Sequence, residues 1–240
     1  LLTGYLELAS ACLTTTFLLS QRDAAIRRIL QHNVPELRDE LLPPLAGGST
    51  FATVGLAQLT TSRQHMGPTL RAAFDDDGLL LDGVIPWVTG ANRADYLVVG
   101  AVVEDGRQLL AVLPRSLDGV TVGPPFDLMA LQGSQTSEVR CAQVRLPRRW
   151  LLAGPVEQVL AVGRGGAGGL ETSALALGLA RAAISYLQCE VQSRPELEPV
   201  ARRLDDVWTQ IHRDLLAAAE HPSTGDLAIR LRARANSLGV

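Results

Sequence analysis

The sequence predicts an α+β chain of several domains: N-terminal helices, a central antiparallel β-barrel or sandwich, and a C-terminal helical bundle. Three observations predict it. Apolar residues recur at helical spacing near the start, as Leu2, Leu6, Ala9 and Leu13 and again as Ile26, Ile29 and Leu30. Over 49–150 the pattern changes to short Val/Thr/Leu alternations, broken by Asp77-Gly78, Asp82-Gly83, Asp105-Gly106, Asp118-Gly119 and Pro124-Pro125. Beyond 156 the helical spacing returns in long Ala/Leu-rich runs. The divisions are 1–48, 49–154 and 155–240.

The first helices run to a break at Asn33-Val34-Pro35, where Pro35 suits the first turn of a short helix over 36–42. Pro43-Pro44 and Gly47-Gly48 are expected to end it. Strands are expected at 50–58, 70–75, 79–85, 96–103, 109–114, 120–124 and 139–146. Asp82-Gly83 reads as a tight hairpin turn, since Gly takes positive φ without steric cost, and a further strand then carries Trp87 and Thr89. Pro147 and Gly154-Pro155 close the region. The run GRGGAGG at 163–169 reads as a flexible entry; it lacks the strand, glycine order and Lys-Ser/Thr of a phosphate loop. Helices follow at 171–192, 195–220 and 224–237, with a break at His221-Pro222-Ser223. Ala174, Gly178 and Ala182 leave room for a neighbouring helix. Leu204, Val207, Ile211 and Leu215 form the expected buried stripe of the second. Three helices make an incomplete bundle.

With 47% hydrophobic and 20% charged residues, the 240-residue chain can bury a sizeable core. A net charge of −3 gives no electrostatic reason to expect nucleic acid or an anionic membrane. Every basic residue is Arg, which excludes Schiff-base lysine chemistry and a P-loop lysine within this sequence. Cys12, Cys141 and Cys189 are odd in number and far apart, which points to reduced thiols and a cytoplasmic setting. Cys141 alternates with apolar neighbours and reads as packing. His32, His65, His212 and His221 show no metal spacing, and Asp75-Asp76-Asp77 before Gly78 reads as a turn. No apolar run reaches membrane-spanning length. The opening LLTGYLELAS, without Met or N-cap, reads as the middle of a helix and so as a fragment.

Trp87 and Thr89 are two apart, which on one strand puts them on the same face. An aromatic plane beside a hydroxyl suits a flat ligand with a polar edge. The plain alternative is a core Trp beside a strand Thr.

Three phrases carry a family resemblance. LDGVIPWVTGANRADYLVVGA, LLAVLPRSLDGVTV and LQGSQTSEVRCAQVRLPRRWLLAG occur in the order and spacing seen in acyl-CoA dehydrogenases, and together they span about 50–154. The chain resembles that family of flavoproteins. The resemblance implies FAD as cofactor, an acyl-CoA substrate, an electron acceptor of unknown identity, a homodimer or homotetramer, and a part in fatty acid metabolism. It sets Trp87 against the flavin ring and the Thr89 hydroxyl at its reactive edge. It also aligns Leu56 and Gln58, then Thr61, Ser62 and Arg63, with a segment that holds the pyrimidine edge and pyrophosphate. Here Ala57, Gln58 and Leu59 replace that segment's Thr-Glu-Pro; Arg63 adds a charge the family motif lacks.

The family's reaction, α,β-dehydrogenation of an acyl thioester, needs a carboxylate base with a raised pKa. In most members that Glu lies late in the bundle. In a minority it opens the first long helix, where Glu171 is the nearest carboxylate in this sequence. The family's Arg-x-x-Phe-Gly phrase is reduced to Arg194. Two other readings fit these departures: a non-catalytic scaffold of the same fold, and a flavin monooxygenase or oxidase.

Overall fold

The computed structural model describes residues 1–31, 35–60, 69–161, 170–220 and 225–238. Outside the described residues lie His32, Asn33, Val34, Thr61, Ser62, Arg63, His65, His221, Pro222, Ser223 and the segment 163–169. The chain divides into two compact units, Leu1–Ser20 with Gly168–Val240, and Gln21–Ala167. One cut falls inside a helix, Leu13–Leu30 (α2), rather than between elements.

The first unit is helical. It holds α1 (Leu2–Ala11), the start of α2, α4 (Leu170–Glu190), α5 (Glu198–Glu220) and α6 (Gly225–Leu238) around Tyr5, Leu6, Leu177, Ile211, Leu215 and Leu231. Gly178 sets the approach of α1 to α4: a Cβ there would stand 2.5 Å from the Leu6 carbonyl oxygen and 2.6 Å from the Ala9 Cβ. Ala174 is buried in the same core, whereas Ala182 is half-buried. On α5, Ile211 and Leu215 are buried as expected, whereas Leu204 is half-buried. Val207 points outward, and Trp208 takes its place, donating its indole N–H to the Leu177 carbonyl at 2.8 Å. At roughly 100° per residue, position 208 lies closer than 207 to the face set by Ile211 and Leu215.

The second unit packs α3 (Pro35–Gly47) and the end of α2 on a sheet. Pro35 opens α3 as expected, but Pro43 and Pro44 lie inside the helix instead of ending it. The carbonyls they leave unbonded belong to Asp39 and Glu40, both exposed, so water can satisfy them. Continuation brings Leu45 into line with Leu37 and Leu41, all buried. The helix stops at Gly48, φ +76°, with the Ser49 N–H reaching back to the Pro44 carbonyl at 3.1 Å.

The described strands are β1 (Ala52–Gly55), β2 (Leu70–Phe74), β3 (Gly78–Val88), β4 (Tyr96–Val102), β5 (Gln108–Pro114), β6 (Val120–Pro125), β7 (Ser137–Pro147) and β8 (Leu151–Val156). They run in the order β6-β7-β3-β2-β4-β5-β8, with β1 beside β4. The sheet is mixed rather than purely antiparallel: β1 and β2 both pair with β4 in parallel. β8 goes beyond the expected strands, because Gly154-Pro155 reads as a stop. The first expected strand ends early, in a 3-10 turn over Ala57–Leu59.

Asp82-Gly83 is not a hairpin turn. It lies in the middle of β3, where pairing with β7 shifts register between Leu81 and Gly83. Gly83 has φ +124°, and a Cβ there would collide with the Thr69 carbonyl oxygen. The turn is instead at Asp75–Gly78, where the Asp75 carboxylate accepts the N–H groups of Asp77 and Gly78. Cys141, opposite Gly83, is buried, and that burial together with the negative Asp82 pushes its thiol up to about 12. It is packing, as its apolar neighbours suggest.

Candidate functional site

Three strand ends meet at one corner of the sheet. Val88 of β3 pairs with Ser137 of β7, and Ser137 pairs with Pro125 of β6. Next to this row stand Trp87, Thr89, Phe126, Ser134 and Thr136. A second register shift, between Ile85 and Val88, breaks the alternation of β3. Val88 turns into the core, and Thr89 falls in the turn beyond the strand. Trp87 and Thr89 therefore do not share a face by simple period, as expected from their spacing. Connections through β6 and β7 link them instead.

The Trp87 ring packs against Phe126, centroids 4.8 Å apart and tilted by 57°, and stays 44% exposed. The Phe126 N–H donates to the Thr136 carbonyl at 2.8 Å. The Thr136 hydroxyl lies 3.2 Å from the Thr89 hydroxyl and 2.8 Å from that of Ser134. Thr89 is 7% exposed and Ser134 is fully enclosed. Backbone contacts fix the corner: the Thr53 hydroxyl donates to the Thr89 carbonyl at 2.7 Å, and the Gly90 N–H to the Ser134 carbonyl at 2.9 Å. Asn92 donates to the Ser137 hydroxyl at 3.2 Å. Leu131 and Gln135, at φ 63° and 51°, bracket the Ser134 turn in left-handed conformations that cost about 1 kcal/mol each.

The other expected site residues divide. Leu56 packs toward Gly100 at the sheet surface. The Gln58 amide donates to the carbonyls of Gly55 at 3.0 Å and Gly100 at 2.6 Å, so its side chain ties the turn after β1 to β4. Its Oε1 is buried and has no partner among the described residues. Thr61, Ser62 and Arg63 lie outside the described residues. Glu171 sits half-buried in the first turn of α4, in the helical unit. Arg194 pairs with Glu190 at 3.6 Å.

Sequence reasoning did not single out Ser134, Thr136, Phe126 or Thr53. The signal for two of them was on the page, in the Ser and Thr of LQGSQTSEV, but nothing local says that their hydroxyls meet Thr89. An open aromatic face beside an enclosed hydroxyl chain fits a flat ring whose edge carries a hydrogen-bonding atom, as a flavin does.

No family profile matches the chain. Among curated proteins, the probable acyl-CoA dehydrogenase YngJ of Bacillus subtilis is 31% identical over 175 residues, which is 69% of this chain and 46% of that protein. Isobutylamine N-hydroxylase of Streptomyces viridifaciens is 29% identical over 119 residues, 48% of this chain and 32% of that protein. The chain thus spans less than half the length of either relative. Among solved structures, butyryl-CoA dehydrogenase of Megasphaera elsdenii superposes with a TM-score of 0.80 at 22% identity, covering 99% of this chain and 70% of that one. A glutaryl-CoA dehydrogenase of Mycobacterium smegmatis in complex with FADH2 gives 0.72 at 23% identity, covering 95% and 58%. The fold is that of the acyl-CoA dehydrogenase-like flavoproteins. The chain belongs to the acyl-CoA dehydrogenase family.

Proposed function

We propose that this chain is the FAD-binding part of an oxidoreductase that dehydrogenates an acyl-CoA thioester between its α and β carbons. The observation that carries the reading is the open face of Trp87, joined through Phe126 and Thr136 to the enclosed Thr89 hydroxyl at a corner fixed by backbone hydrogen bonds. FAD, when bound, supplies the hydride acceptor. Trp87 covers one face of the ring and keeps water from it, and Thr89 offers its hydroxyl to the ring edge. Thr61, Ser62 and Arg63 hold the pyrophosphate, Arg63 by charge. Leu56 and Gln58 contribute main chain only, since the Gln58 amide is committed to the sheet. Glu171 takes the α proton of the substrate. The protein works in the cytoplasm, in fatty acid metabolism, as a homodimer or homotetramer that passes electrons to a separate acceptor.

The test is an absorption spectrum of the purified protein with and without acyl-CoA. Flavin absorbance bleached by an acyl-CoA supports the reading; protein that stays colourless after FAD is added refutes it. One observation favours a second reading: a relative is an N-hydroxylase. Oxygen consumption by flavin-loaded protein with no acyl-CoA turnover selects a monooxygenase or oxidase. A colourless, folded protein selects a scaffold.

A further inference from the structure

The hydroxyls of Ser134, Thr136 and Thr89 form a chain of two contacts, 2.8 and 3.2 Å, in which either partner of each can donate. Three hydroxyls carry three protons, and two contacts use two of them. Thr136, 5% exposed and with no other acceptor for its hydroxyl among the described residues, donates within the chain, so the third proton leaves at one end. At the Ser134 end it meets full enclosure, and Ser134 has no hydrogen-bond partner for its hydroxyl other than Thr136 among the described residues. Thr89, 7% exposed, is the end that is not fully enclosed, and it lies two residues from the 44%-exposed Trp87. A buried donor left without an acceptor is costly, so the two directions are unequal.

We infer that Ser134 and Thr136 are positioning residues that polarise Thr89 as a hydrogen-bond donor, so that the site favours a ligand whose edge atom accepts a hydrogen bond over one whose edge atom donates it. The inference rests on the flavin reading, which names that ligand. The ring-edge nitrogen of oxidised FAD accepts, and in reduced FAD the same nitrogen carries a proton and donates. The hydroxyl chain therefore holds the oxidised form more tightly and lowers the reduction potential of the bound cofactor. No proton enters or leaves the protein through the chain; only the hydroxyl rotors are ordered.

The experiment is a measurement of the reduction potential and of FAD affinity in wild type, Thr136→Val, Thr136→Ser and Ser134→Ala. Val keeps the shape at 136 and removes the partner that fixes the direction of the Thr89 hydroxyl. The expected result is about a tenfold fall in the preference for oxidised over reduced FAD in Thr136→Val, which for a two-electron couple raises the potential by about 30 mV. Thr136→Ser returns the wild-type potential, and Ser134→Ala shifts it in the same direction by less. If Thr136→Val does not fold, Ser134→Ala against wild type decides. An unchanged or lowered potential in variants that still bind FAD overturns the inference and leaves the flavin reading standing. Wild-type protein with no flavin absorbance after FAD is added overturns both.

Discussion

Gly83 offers the sharpest structural perturbation. Substitution by Ala places a methyl at φ +124°, outside the conformations an L-residue takes readily, at a cost of about 1–3 kcal/mol. The methyl also meets the Thr69 carbonyl oxygen, which is backbone and cannot rotate aside. That carbonyl accepts the Val84 N–H at 2.6 Å, and pushing it away weakens a bond worth about 1 kcal/mol. Together the loss is about 2–4 kcal/mol, a large share of the 5–15 kcal/mol typical of a domain. Gly106→Ala is the control. It too has positive φ, +88°, but nothing within 4 Å of its Cβ, so it carries about 1 kcal/mol of conformational cost alone. Urea unfolding of both variants measures the difference, expected at about 1–3 kcal/mol. Equal midpoints for the two would refute the argument that this bulge is held by a steric requirement.

Four further outcomes are expected. Gly178→Ala gains about 1 kcal/mol of helix propensity but overpacks α1 against α4, for a net loss of about 2 kcal/mol by urea unfolding. Gln58→Ala strips the carbonyls of Gly55 and Gly100 of their side-chain donor and lowers stability by about 2 kcal/mol, by the same assay. In thiol titration of native protein, exposed Cys12 and Cys189 react and buried Cys141 does so only on unfolding; Cys12, whose thiol is lowered by the Thr15 hydroxyl, reacts first as pH rises. Because burial raises Cys141 from an ordinary 9.0 to about 12, its contribution to stability is complete below pH 9 and is lost between about 9 and 12, so Cys141→Ala flattens that alkaline loss.

Much of the fold was legible in the sequence, because hydrophobic period separates helix from strand wherever one face is buried. The three-part order of helix, sheet and helix follows from it, as do the seven expected strand positions. What escaped was non-local. Asp82-Gly83 carries the local chemistry of a hairpin, yet β7 on the far side pairs straight through it, and only that pairing makes it a bulge. Pro43-Pro44 looks like a helix stop, but the pull of Leu45 into the core carries α3 across it. Trp87 and Thr89 were singled out by their spacing of two and by resemblance, but the shared face that the spacing implies is lost at a register shift between Ile85 and Val88. Ser134 and Thr136 join them through a strand start 45 and more residues away, a juxtaposition that only the sheet order creates.

The central claim is that the Trp87 and Thr89 corner receives a flavin ring. Titration of the purified protein with FAD, followed by tryptophan fluorescence, tests it directly, with Trp87→Phe and Thr89→Val alongside. The account predicts saturable binding whose quenching is carried by Trp87 and whose affinity falls in Thr89→Val. Wild-type protein that shows no saturation, or variants that bind and quench just as wild type does, would contradict it.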